Sequence, residues 1–114
     1  MRRLEKIFNA LADRTRIRIL KLLEVKPMCV CEITEILGIA QSSVSRHLSI
    51  LREAGFLIDE KDGLWVIYSL AGSTDDVLVS VITGLRRWGN SDTRIQRDRE
   101  MVETVSREEL CSKG

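Results

Sequence analysis

The sequence has a single histidine, His47, a single proline, Pro27, and three cysteines in 114 residues. One imidazole leaves little for acid–base chemistry. No nucleophile–histidine–acid arrangement, phosphate-binding glycine loop or metal-activated water site can be assembled along the chain, so catalysis is not expected. Three thiols do not make a structural disulfide framework. No apolar run approaches the roughly 20 residues that a bilayer crossing needs. The opening Met1-Arg2-Arg3-Leu4-Glu5-Lys6 leads into amphipathic sequence rather than an apolar signal core. Repeats and low-complexity tracts are absent too. The expectation is a cytoplasmic protein with no membrane partner that is not an enzyme.

What is present suits one modest core. Hydrophobic residues make up 44% and charged residues 31%, a globular balance. The net charge is only +1, but it is unevenly spread. Residues 1–55 carry ten Lys/Arg against six Asp/Glu, and residues 56–114 carry eight against eleven. A basic half is what contact with phosphates requires, although ordinary surface charge would look the same on this count.

Leu4, Ile7, Phe8 and Leu11 mark one face of a first helix. Asp13 is a suitable N-cap for a second, which turns Ile17, Leu20 and Leu23 inward and leaves Arg14, Arg18 and Lys21 to solvent, before Pro27. A short third helix with Ile33, Ile36 and Leu37 ends at Gly38. A fourth starts three residues later, buries Val44, Leu48 and Leu51, and closes at Gly55. Two short helices across a tight glycine turn form a helix-turn-helix. The period then changes: 56–58 reads as a strand, 59–63 as a turn and 64–70 as a second strand, a hairpin wing. After 72–76, Leu78, Val81, Ile82, Leu85 and Trp88 form the stripe of another helix. The expected fold is mainly α with a small β-hairpin (α+β), a winged helix-turn-helix. Residues 1–90 are expected to form the DNA-binding and dimerisation domain, and 91–114 a charged, partly helical tail.

The face of the fourth helix carries the strongest functional signal. With Val44, Leu48 and Leu51 inward, Gln41, Ser42, Ser43, Ser45, Arg46, Ser49 and Arg52 are left free. Small hydroxyls and an amide allow close approach to base edges, and Arg46 can pair with guanine or clamp a phosphate. A merely solvated face would favour Glu and Lys, yet no acid occurs before Glu53. His47 is expected to pack beside the scaffold helix or touch phosphate. Lys61 is the expected wing contact, although Asp59, Glu60 and Asp62 weaken it; Trp65, Ile67 and Tyr68 read as sheet core.

Cys29 and Cys31 lie at the entrance of the third helix. Residues two apart in a regular helix point about 200° apart, so convergence of the thiols needs an irregular first turn. The helix dipole there is expected to lower thiol pKa, with Cys31 at the N-cap position. Soft thiolates select thiophilic ions.

Four stretches together resemble the ArsR/SmtB family of metal-responsive repressors: Leu11-Ala12-Asp13-Arg14-Thr15-Arg16, Cys29-Val30-Cys31-Glu32-Ile33, Ser43-Val44-Ser45-Arg46-His47-Leu48 and Leu51-Arg52-Glu53-Ala54-Gly55. The resemblance covers roughly residues 4–88. It implies a homodimeric transcriptional repressor joined through its N- and C-terminal helices, at Leu4, Ile7, Phe8, Leu11, Leu78, Val81, Ile82, Leu85 and Trp88. Its partners would be a second copy and double-stranded operator DNA with an inverted repeat. One departure is Ala40, where the family usually has a capping serine.

Cys-Val-Cys is similar to the arsenic-responsive branch, which implies trivalent arsenic or antimony as inducer, not as a catalytic cofactor. The third thiol of that branch falls on Thr34 here. Cys111, from either subunit, or a small external ligand could complete the site; equally, Cys111 could be an incidental thiol. Zinc-sensing relatives use histidine and acids on the last long helix, where this chain has Asp75 and Asp76 but no histidine. A thiol redox sensor, or a cadmium-, zinc- or lead-sensing repressor of the same fold, is the alternative.

Overall fold

The computed structural model describes residues 2–105. Its elements run α1 (Arg2–Leu11), α2 (Arg14–Leu23), β1 (Met28–Cys29), α3 (Val30–Leu37), α4 (Gln41–Ala54), β2 (Leu57–Asp62), β3 (Trp65–Leu70), α5 (Asp76–Arg87) and α6 (Thr93–Val102). Asp13 starts α2 by accepting a hydrogen bond from the Arg16 N–H at 3.0 Å. Gly38 ends α3 with φ 67, and three residues separate α3 from α4. Gly55 ends α4 with φ 98 and turns the chain into the wing. Ile19, Leu20, Leu22, Ile33, Val44, Leu48, Leu51 and Phe56 meet in one core beneath α4. Burial of each large side chain contributes about 1.5–3 kcal/mol.

The sheet has strand order β1-β3-β2, all antiparallel. Leu57 pairs with Leu70 at its base and Asp62 with Trp65 at its tip, while Met28 and Cys29 of β1 pair with Tyr68 and Ile67. The wing is longer than the sequence pattern suggests. Residues 59–62 continue β2 instead of turning, and the reversal is confined to Gly63 (φ 62) and Leu64. Beyond Leu57 every residue of β2 is exposed, so nothing imposes apolar–polar alternation there.

Asp75 caps α5 by accepting from the Val77 and Leu78 N–H groups, both at 3.0 Å, and pairs with Arg3 of α1 at 2.8 Å. Asp92 caps α6 in the same way through Arg94 and Ile95. α6 then packs on α2 and α3, burying Ile95 and Val102.

This docking corrects the expectation that Arg18 and Lys21 face solvent. Arg18 donates twice to the buried Asp98 carboxylate, at 2.8 and 2.9 Å. Lys21 is 1% exposed; its ammonium pairs with Glu24 at 2.9 Å and donates to the Leu85 carbonyl. Glu24 also receives Arg99 of α6. Charges removed from water require partners of this quality. The carboxylates that provide them lie three residues away or on α6, and helical periodicity within α2 alone does not register either.

Candidate nucleic-acid interface and thiol site

α4 presents Gln41, Ser42, Ser43, Ser45, Arg46, Ser49 and Arg52 exposed, with Val44, Leu48 and Leu51 buried beneath them. Ala40 is the N-cap and makes no side-chain cap bond; its carbonyl accepts from Ser43 and Val44 at 3.0 and 3.1 Å. No acid lies in the first turn, so the positive end of the helix dipole stays uncompensated. Arg46 has no ion-pair partner among the described residues. Arg52 reaches Asp59 of the wing at 3.3 Å, an exposed pair of small energetic weight. Lys61 is exposed on β2 amid Asp59, Glu60 and Asp62.

His47, on α4, is half-buried against the start of α2. Arg16 Nη1 lies 3.3 Å from its Nδ1, and a guanidinium can only donate. Nδ1 is therefore the acceptor, which places the proton of the neutral ring on Nε2. The same guanidinium donates to the Ala10 and Asn9 carbonyls at 2.8 and 3.0 Å, tying the end of α1 to α4. Burial pushes the Asp13 carboxyl upward, but the Arg16 N–H, the Arg16 charge and His47 outweigh it and hold Asp13 below its ordinary value. Sequence reading missed Arg16; its only signal is the short spacing to the Asp13 cap.

The thiol site differs from expectation in two respects. Cys29, not Cys31, is the N-cap of α3, and it forms a reciprocal capping box with Glu32. The Glu32 carboxylate accepts from the Cys29 N–H at 2.9 Å, and the Cys29 sulfur faces the Glu32 N–H. Cys31 stands one place inside the helix, after Val30.

Nor is the Cys29 thiol acidified. Burial pushes its pKa up; the Glu32 and Cys31 N–H groups pull it down, but the Glu32 charge adds to the rise. Desolvation wins over the dipole because Cys29 is 2% exposed, in the strand β1 that pairs with β3. Cys31 is disulfide-bonded. The Thr34 hydroxyl, at the position of the third thiol, is buried without a hydrogen-bond partner. Among the described residues no group of three or more His, Cys, Asp or Glu could hold an ion. Cys111 lies outside the described residues.

The expected interface positions divide. Ile7, Leu78 and Leu85 are buried within the protomer. Leu11, Val81 and Ile82 are half-buried against the core. Leu4, Phe8 and Trp88 are exposed, together with Val79, which the sequence stripe did not include. Trp88 lies across the α5 backbone at Gly84, where a Cβ would come within 2.5 Å of the indole.

Residues 13–59, from the cap of α2 into the wing, match the sequence profile of the bacterial regulatory protein, arsR family. The arsenic resistance transcriptional regulator ArsR1 of Pseudomonas putida is 40% identical over 91 residues, covering 75% of this chain and 71% of that protein. The arsenical resistance operon repressor of Escherichia coli is 47% identical over 66 residues, 57% of this chain and 56% of its own length. Among solved structures, the homodimeric winged helix-turn-helix DNA-binding domain of Mb0332 from Mycobacterium bovis superposes with a TM-score of 0.65 at 22% identity. That match covers 75% of this chain and 76% of the other. The helix-turn-helix formed by α3 and α4, its wing and these relatives together show that the chain belongs to the ArsR family of bacterial regulatory proteins.

Proposed function

We propose that this chain is a homodimeric repressor that releases its operator when trivalent arsenic or antimony binds Cys29 and Cys31 in their thiol form. Residues 1–90 are the DNA-binding and dimerising unit, and α6, docked on α2 and α3, follows it. Gln41, Ser42, Ser43, Ser45, Arg46, Ser49 and Arg52 read or clamp DNA. His47 offers Nε2–H to a phosphate, and Lys61 makes a minor wing contact. Two copies of α4 would enter successive major grooves about 34–36 Å apart on an inverted repeat. The exposed Leu4, Phe8 and Trp88, with the half-buried Leu11, Val81 and Ile82, form the surface that a second copy covers, backed by Ile7, Leu78 and Leu85.

The observation that carries the sensing is the capping box. Cys29 is at once a thiol and the N-cap of α3, and α3 packs directly on α4. An ion drawing the Cys29 sulfur toward Cys31 takes the cap from the Glu32 N–H and reshapes the first turn of the helix that supports α4. A buried, proton-bearing thiol at Cys29 means that ion binding releases a proton and strengthens with rising pH. The third donor comes from Cys111 or from a small external ligand. A coupling of about 1–3 kcal/mol changes operator affinity roughly 5–150-fold, and DNA weakens ion binding by the same factor.

The test uses a duplex selected by the wild-type protein from a randomised pool. Arsenite should release it from the reduced protein. The C29S/C31S variant should keep binding and lose the response, because serine at position 29 still caps α3. Release of DNA from that variant by arsenite would refute the thiol assignment. The disulfide at Cys31 favours one second reading, a redox-sensing repressor of the same fold. Peroxide would then release DNA without arsenite, and dithiothreitol would restore binding.

A further inference from the structure

The first turns of α2 and α6 border a cleft of about 670 Å³ lined by Arg14, Arg18, Asp92, Thr93 and Arg94, with Ile17 and Ile95 at its floor. Thr93 and Arg94 continue into a smaller recess edged by Arg97. The two carboxylates nearby do not balance these cations. Asp98 is committed to Arg18 by two hydrogen bonds. Asp92 caps its own helix, accepting from Arg94 N–H and Ile95 N–H, and so offsets one charge at most. Arg14, Arg94 and Arg97 are exposed and have no ion-pair partner among the described residues.

We propose that this cleft is a second DNA-contact surface, in which Arg14, Arg94 and Arg97 hold phosphates beside the groove entered by α4. The inference rests on the DNA-binding reading above and extends it to elements outside the helix-turn-helix and wing. Continuity is one argument. The first turn of α2 lies against α4 through the Arg16–His47 contact, and on its other side against the first turn of α6. α2 therefore links the reading helix, through Arg16 on one side, to the arginine-lined cleft on its other side.

Charge complementarity is the other. Half or more of protein–DNA hydrogen bonds go to the backbone, and those contacts set the register of the reading helix. The wing, where such contacts are usually sought, carries Asp59, Glu60 and Asp62 against Lys61, and Asp59 engages Arg52. Phosphates are held only weakly there, through Lys61, and more strongly on the α2–α6 side. Arginine is the suitable residue, because its planar fork grips a phosphate in two places. The buried Arg18–Asp98 pair positions the surface by fixing α6 on α2.

Salt dependence of binding to a mixed-sequence duplex tests the proposal, since non-specific affinity is almost wholly counterion release. The R94A/R97A variant alters only exposed side chains, and an unchanged melting temperature verifies its fold. The slope of log K against log salt should become shallower by about 1.8 per protomer, since each lost phosphate contact removes about 0.9. Affinity for selected and mixed-sequence duplexes should fall by the same factor. Lys26→Ala, at the opposite end of α2, should leave the slope unchanged. An unchanged slope in R94A/R97A overturns the proposal. So does a variant that loses only the binding of inorganic phosphate, which would make the cleft a small-anion site. Arg46→Ala separates the two levels: if it abolishes binding while R94A/R97A does not alter the slope, only the cleft is wrong; if wild-type protein binds no duplex, the DNA-binding reading itself fails.

Discussion

Gly55→Ala is the substitution whose consequence can be worked most directly from the fold. Gly55 stands at φ 98, where a side chain costs about 1–2 kcal/mol. A Cβ there would also come within 2.7 Å of Leu78 Cδ1, and Leu78 is 1% exposed, with no solvent to retreat into. Overpacking of this kind adds about 1–3 kcal/mol. Alanine restricts the unfolded chain and returns about 0.4–1 kcal/mol. The net loss is about 1–4.5 kcal/mol, centred near 3.

Gly38→Ala is the matched control. Gly38 has φ 67 and also ends a helix, but a Cβ there meets nothing within 4 Å. Only the backbone term applies, and the net loss should be about 1 kcal/mol or less. Urea unfolding at one fixed protein concentration measures both, since the stability of any oligomer, the proposed dimer included, varies with concentration. Leu78→Ala should partly rescue Gly55→Ala, making the pair non-additive. Equal destabilisation at Gly38 and Gly55, or strict additivity with Leu78→Ala, would refute the packing argument.

Asp98→Ala leaves the Arg18 guanidinium unpaired where its side chain is only 13% exposed, and should destabilise by about 2–3 kcal/mol, less than for a fully buried partner. Replacing both residues by apolar ones of similar size should recover most of that in the same urea assay. Ala40→Ser should supply the missing cap of α4 and raise stability by about 1 kcal/mol in the same urea assay. Asp13 and Asp75 are both held below their ordinary carboxyl pKa, Asp75 by the Leu78 N–H first and then by Arg3. Their contribution is fully present above the unfolded value of about 3.9 and is lost as pH falls through the lower folded values. Melting temperature should therefore drop on acidification from about pH 5 to pH 3, and less steeply in Asp75→Asn.

The helix-turn-helix was legible because each of its boundaries is a local event. Asp13 caps, Gly38 and Gly55 terminate, and Val44, Leu48 and Leu51 repeat at the helical period. The uncapped start at Ala40 was equally readable. Three features were not, two because they depend on distant partners and one because it lies on an exposed strand. Arg18 and Lys21 read as solvated because Asp98 and the Leu85 carbonyl, which bury them, lie 80 and 64 residues away. Cys29 was expected to be acidic from its place at a helix start. Pairing of β1 with β3 instead encloses it, and desolvation exceeds the dipole. The strand character of 59–62 was hidden because a wing exposed on both sides has no apolar period.

The union of α2 with α6 also has a temporal side. At synthesis rates of about 5–20 residues per second, Asp98 leaves the ribosome roughly 4–16 s after Arg18, a delay set by their separation of 80 residues. The helix-turn-helix and wing are complete in sequence well before that. During the interval, the flank of α2 that α6 will cover presents the cation of Arg18 to water beside the exposed Arg14. A nascent chain waiting with a charged flank offers less for other chains to stick to than one waiting with leucines. The arrangement that makes this helix hard to read from its sequence therefore leaves a charge, not an apolar side chain, waiting at position 18 for its last partner.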